Sequence, residues 1–348
     1  MTEFTNFRHN PGVDPAMHIW GWEIPVYLFL GGLVAGLMII AGVRLIAMRP
    51  RERQSLVCCT IGPLVGLVAL SLGMGALFLD LTHKAFVWRL YLTFQPTSPM
   101  SWGSWILLLV YPALLANALA HLPEAIPALA KRFPVLVIWS DFILARTRLV
   151  VAIGFSNVAL GIALGIYTGI LLGALGARPL WSSAVLGPLF LFSGLSTAAA
   201  LLHGILVLTA PDDERPAFAD FLLSTLARLS QAKPLDPRQA PVLARADNSF
   251  LTIELVLLGL LLLGHLAGSA AHQEAAQLLL TGPYAAPFWV FVVGLGIAIP
   301  LGLQALELQH RIRHTLAPAV LVLFGGLALR FILVVAGQAS HWAAVAAN

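Results

Sequence analysis

Ionisable and hydrogen-bonding side chains gather at the ends of three long apolar runs. The first run is entered through His18, Trp20, Trp22, Glu23 and Tyr27; the second is left through Asp80, His83 and Lys84; the fourth carries Tyr167 toward its far end. Such groups are costly to hold in lipid, so each one is a candidate for function. Two carboxylates (Glu23, Asp80) and an imidazole (His83) can take protons, while phenols, indoles and aliphatic side chains wall a ring. A quinol, which gives up protons as its electrons leave and carries an apolar tail, suits that mixture. The competing reading pairs Asp80 with Lys84 one helical turn away and leaves Glu23, Tyr27 and Tyr167 at headgroup depth, where aromatic side chains are ordinary.

A second set of polar groups lies deeper or toward the other side: Asn117, Glu124, Asn157, His203, Glu254, Gln304, Glu307 and Arg330. Arg330 falls well inside the last apolar run and needs a carboxylate, a carbonyl or water. Asn157, Glu254 and Arg330 are the candidates for a proton path, although bonding between helices is the commoner use of such residues. Haem ligation needs two imidazoles at one depth on facing helices. His265 falls near the outer end of the sixth run and His203 near the inner end of the fifth, and His121 with His203 lacks a second pair. Cys58 and Cys59 are adjacent, a spacing that strains a mutual disulfide and fits no metal cluster. No haem or metal is expected on this polypeptide, and any iron–sulfur centre would sit on another one.

The elements that position these residues follow from composition. Of 348 residues, 59% are hydrophobic and 10% charged, against roughly 25% charged in a soluble domain, and the mean hydropathy is +0.88. The sequence reads as an all-α polytopic membrane protein. Its polar first 20 residues lack the apolar core of a cleavable signal peptide. Runs long enough to cross a bilayer fall near 22–46, 57–81, 102–122, 149–175, 184–209, 249–269, 287–307 and 317–338. The connections after the first, third, fifth and seventh, together with Arg44 at the end of the first run, hold fifteen of the twenty Lys and Arg. Basic loops stay in the cytoplasm, so both termini are expected outside, in the periplasm, with the protein in a bacterial inner membrane. The net charge of +4 thus reports orientation and implies no nucleic acid partner. The loop 210–247 is expected to be cytoplasmic, with an interfacial amphipathic helix over 218–229.

Pro25-Val-Tyr-Leu-Phe-Leu-Gly31 and Pro188-Leu-Phe-Leu-Phe-Ser-Gly194 share one spacing. A parallel duplication of two four-helix bundles, 1–175 holding the quinone and 176–348, would produce it. Gly31, Gly32, Ala35 and Gly36 form a seam of small residues suited to close helix packing.

Ser98-Pro-Met-Ser-Trp-Gly-Ser-Trp105 opens the third run. Trp102 and Trp105 lie near one helix face at headgroup depth, and Ser101 is placed to cap the helix. With Trp22-Glu-Ile-Pro through Gly36, Asp80-Leu81, Tyr167-Thr-Gly169, Pro188 through Ser196 and Gly325 through Arg330, this run resembles the NrfD/polysulphide reductase membrane-subunit family over essentially the whole length. The resemblance implies an eight-helix quinone-reactive anchor without its own redox cofactor. It implies a menaquinone or ubiquinone pocket among the first four helices, near the outer face. A ferredoxin-like iron–sulfur subunit would dock there, usually joined to a molybdopterin or other catalytic subunit. Asp80 is the position it supports most. Some members carry histidine about where Tyr27 stands, which leaves Tyr27 or Glu23 as the direct partner of the quinone carbonyl. The expected site is therefore Asp80, Glu23 and His83 for protons, with Tyr27, Trp22, His18, Lys84, Tyr167 and Trp102 around the quinone. A secondary transporter and a purely structural anchor are the competing classes.

Overall fold

The computed structural model describes residues 20–47, 57–92, 94–175, 177–209, 239–309, 311 and 315–342. His18 and the stretch 218–229 lie outside the described residues. Within them, eight helices are long and apolar enough to cross a membrane: α1 (Glu23–Ala47), α2 (Gly62–Asp80), α3 (Pro99–Ala125), α5 (Thr147–Gly173), α6 (Leu186–Leu208), α7 (Ala240–Leu266), α9 (Ala285–Leu308) and α10 (Ala317–Ala339). Among the shorter helices between spans are two of 11 residues each, α4 (Pro134–Leu144) and α8 (Ala270–Leu280). The molecule is an all-α, multi-pass membrane protein.

Proline sets several of the starts. Pro63, Pro99, Pro241 and Pro318 occupy the first turns of α2, α3, α7 and α10, where the missing N–H has no intrahelical partner to lose. One boundary differs materially from expectation. The loop expected over 210–247 ends earlier, because α7 begins at Ala240. Arg245 and Asp247 are thus helical, and Asp247 is fully buried.

Packing is organised around α1, which touches α2, α5, α6 and α10. In lipid, helices associate through close van der Waals contact rather than expulsion of water, and small residues permit the approach. A Cβ on Gly36 would collide with the backbone carbonyl of Gly194 in α6, and one on Gly194 with that of Gly32. Toward α5, a Cβ on Gly42 would sit 2.6 Å from the Gly154 carbonyl oxygen. The glycine seam of α1 therefore serves packing. It does so against the very helix whose Pro-to-Gly spacing it shares. Elsewhere α9 is wound as a π-helix over Phe288–Ala298, where Gly296 lies against Gly325 of α10.

Candidate functional site

At one end of the bundle, α1 begins and α2 ends, and the loop from Leu81 to Ser98 runs between α2 and α3. The backbone entering α1 is fixed by a reciprocal pair: the Trp20 N–H donates to Gln338 Oε1 (3.2 Å) and Gln338 Nε2 donates to the Trp20 carbonyl (3.1 Å). The Trp20 ring also packs on Trp181, with centroids 5.3 Å apart. Ser98 is the residue before α3, and its hydroxyl makes no capping bond. Ser101 does not cap the helix either. Its Oγ accepts from the Gln95 N–H at 2.9 Å, tying the loop to the helix, while Ser104 Oγ donates to the Ser101 carbonyl at 2.6 Å.

These elements enclose a cavity of about 910 Å³. Its apolar walls include Ile24, Met74, Leu77, Phe78, Leu107 and Leu171; its polar groups include Asp80, His83, Arg89, Tyr91, Tyr27 and Tyr167. Helices α1, α2 and α5 thus bring together Tyr27, Asp80 and Tyr167 as depth alone suggested, with α3 closing the fourth side. The other candidates are placed differently. Trp102 stands behind Tyr167, edge to face at 5.8 Å. Glu23 is half-buried and within electrostatic reach of Asp80, but its carboxylate folds against Gly21 and does not line the cavity. Trp22 is 52% exposed, and Lys84 is exposed outside the lining. Among the described residues, Asp80 forms no salt bridge with Lys84.

Gly103 explains part of the tryptophan–serine run. A Cβ there would fall on the ring of Tyr167, so only glycine leaves room for that phenol to lie across α3. Tyr27 is its neighbour. The Tyr27 hydroxyl is buried and makes no hydrogen bond of close geometry; the Tyr167 phenol is the polar group it interacts with. In the loop, burial and the nearby Tyr111 raise the pKa of the Tyr91 phenol above its ordinary value, so Tyr91 remains a donor. Arg89, whose guanidinium lies 4.5 Å over the Phe86 ring, and Tyr91 are lining residues that sequence reasoning misses. Arg89 is visible there only as one of the few basic residues on the sparsely charged side.

A second polar group of residues lies deeper. Arg330 of α10 is fully buried. It donates to Ser193 Oγ, to the Gly326 carbonyl (3.0 Å) and to the Phe190 carbonyl (3.2 Å). It also lies against α1, where a Cβ on Gly32 would be 3.0 Å from Nη2. Glu254 of α7 interacts with both Ser193 and Arg330. Earlier in α7, Asp247 accepts from Ser196 Oγ at 2.8 Å and from Gln304 Nε2. Glu307 stands 3.9 Å from His203 and accepts from the Thr315 N–H and hydroxyl. Asn157 is elsewhere: its amide donates to the Ala113 and Ile153 carbonyls, bonding α5 to α3. Of the three proton-path candidates, Glu254 and Arg330 are together and Asn157 is apart. Asp247 escapes the sequence reading because it falls within the expected loop. Among the described residues, no group of three His, Cys, Asp or Glu could hold a metal.

Residues 9–341 match the family model described as polysulphide reductase, NrfD. The protein belongs to the NrfD/polysulphide reductase family. It is 29% identical over 328 residues to the C subunit of the polysulfide reductase of Wolinella succinogenes, an overlap of 92% of its own length and 94% of the relative's. To protein NrfD of Escherichia coli it is 30% identical over 326 residues (92% and 95%), and to the NrfD homolog of Haemophilus influenzae 27% over 328 residues (92% and 94%). Family membership therefore rests on nearly the full length. All four helices around the cavity of this NrfD-family subunit fall within the matched span.

Proposed function

We propose that this protein is the quinone-reactive membrane subunit of a respiratory oxidoreductase, passing electrons between membrane menaquinone or ubiquinone and an iron–sulfur partner. The observation that carries the reading is the cavity itself. It is largely apolar, large enough for a substituted ring and the start of a tail, and holds Asp80 and two neighbouring phenols. A bound quinone would supply the electron chemistry. The protein's own residues supply position and protons. Tyr167 faces the cavity as a donor to a ring oxygen, and the buried Tyr27 hydroxyl stands beside it. Asp80 takes a proton as the ring is oxidised, with the Glu23 carboxylate close by, and the exposed His83 passes it to solvent.

The ferredoxin-like partner would dock over the loop Leu81–Ser98, next to the cavity mouth, and bring a molybdopterin or other catalytic subunit with it. The Wolinella relative carries a subunit letter in its name, which fits a component of a larger assembly. The basic connections support placement in the inner membrane with both termini periplasmic. The division into halves 1–175 and 176–348 accompanies this reading, the first holding the quinone. The buried string from Arg330 through Glu254 and Asp247 toward His203 and Glu307 is the route we assign to any coupled proton movement. Asp80→Asn tests the core of the proposal. In an assembled complex it should abolish most quinol oxidation while leaving the subunits together; wild-type turnover would overturn the assignment.

A further inference from the structure

The connection between α3 and α5, basic in sequence, contains a helix with two unlike apolar faces. In α4, Leu136, Ser140 and Ile143 turn toward the bundle, where the Ser140 hydroxyl donates to the Ala120 carbonyl at 2.6 Å. Val135, Ile138, Trp139 and Phe142 form a stripe at i, i+3, i+4 and i+7, and all are exposed, Ile138 to 67%. Eleven residues reach about 16 Å as a helix, too short to span a membrane. Such a helix lies in the interface, with its outer stripe against lipid.

The stripe ends beside two arginines. Arg146 continues it one turn beyond Phe142, with its guanidinium 3.6 Å over that ring and a bond to the Phe142 carbonyl. Arg148 follows, exposed, and a second cavity of about 680 Å³ opens between Phe142, Arg146, Thr147, Arg148 and Leu149. Val151 and Phe155, three and seven residues beyond Arg148 on α5, are exposed on the same helix face, Phe155 to 67%. Two cations thus sit at the head of an apolar track that continues along a membrane-spanning helix. Asp141 flanks the stripe on α4 but does not line the cavity.

We infer that this cavity binds one anionic phospholipid, its phosphate between Arg146 and Arg148 and an acyl tail along Val151 and Phe155. Charge complementarity selects the occupant. A zwitterionic lipid brings a cation that faces the same arginines, and a soluble phosphate leaves the track uncovered. The inference stands apart from the quinone reading.

The test is native mass spectrometry of the delipidated full-length protein in detergent, titrated with phosphatidylglycerol or phosphatidylcholine of identical acyl tails. Each arginine near an anionic group is worth about fivefold, so the pair predicts up to about thirtyfold preference for phosphatidylglycerol. Arg146→Gln with Arg148→Gln should remove that preference, and Lys131→Gln with Arg132→Gln at the other end of α4 should keep it. Glycerol phosphate should fail to displace the bound lipid. Equal retention of the two lipids by the wild-type protein would overturn the inference without any variant. So would an undiminished preference in the double arginine variant, or displacement by glycerol phosphate.

Discussion

Placing a methyl group on Gly103 forces it into the Tyr167 ring, because the added Cβ would overlap the ring carbons nearest the hydroxyl. Gly103 sits in the first turns of α3, held by the Ser101 and Ser104 bonds, and Tyr167 is buried in α5. Neither backbone can retreat cheaply, so the phenol must swing away from Trp102 and from the cavity. Overpacking of this kind costs about 1–3 kcal/mol. Gly103→Ala should therefore destabilise the protein by that amount in denaturant titration, and should raise the KM for quinol more than it lowers kcat. The cause can be separated from a general loss of fold. Tyr167→Leu removes the ring that clashes, so adding Gly103→Ala to it should cost far less than in the wild type. That coupling should be about 1–3 kcal/mol in a double-mutant cycle. Additive effects, with Gly103→Ala equally harmful in both backgrounds, would refute the argument that this glycine exists to seat Tyr167.

Tyr27→Phe deletes a buried hydroxyl that makes no close hydrogen bond and whose polar neighbour is the Tyr167 phenol, so the quinone-free protein should keep its stability to within about 1 kcal/mol. If the hydroxyl makes its close bond only in the complex, quinone affinity should fall by about 5- to 150-fold; a larger loss of stability in the quinone-free variant would contradict this. Arg330→Met leaves Glu254 without its cation and Ser193 without its donor, a loss of about 3–5 kcal/mol. Arg330→Met with Glu254→Gln should recover a large part of that in thermal unfolding, and no recovery would show that the two side chains act independently.

The eight spans are legible in the sequence because their length and lack of charge leave few alternatives, and the basic connections sort their ends by side. Depth follows from that sorting, which is why Tyr27, Asp80, His83 and Tyr167 can be gathered from sequence. Azimuth does not follow. A helix that is apolar all round gives no stripe from which to read its inner face. Trp22 and Lys84 share the depth of the cavity yet do not line it, while Arg89 and Tyr91 enter it from the connection after α2. The α4 helix escapes notice because it is shorter than a span and flanked by the charges that mark a connection. Asp247 is hidden by a boundary: Pro241 starts α7 well before its first long apolar run, which carries the carboxylate into the bundle.

Photolabelling with an azido-quinone tests the central claim most directly. In the assembled complex, label should attach to peptides containing Tyr27, residues 80–91 or Tyr167, and excess native quinone should suppress it. Suppressible label confined to α7, α9 and α10, with those peptides unmarked, would contradict the account.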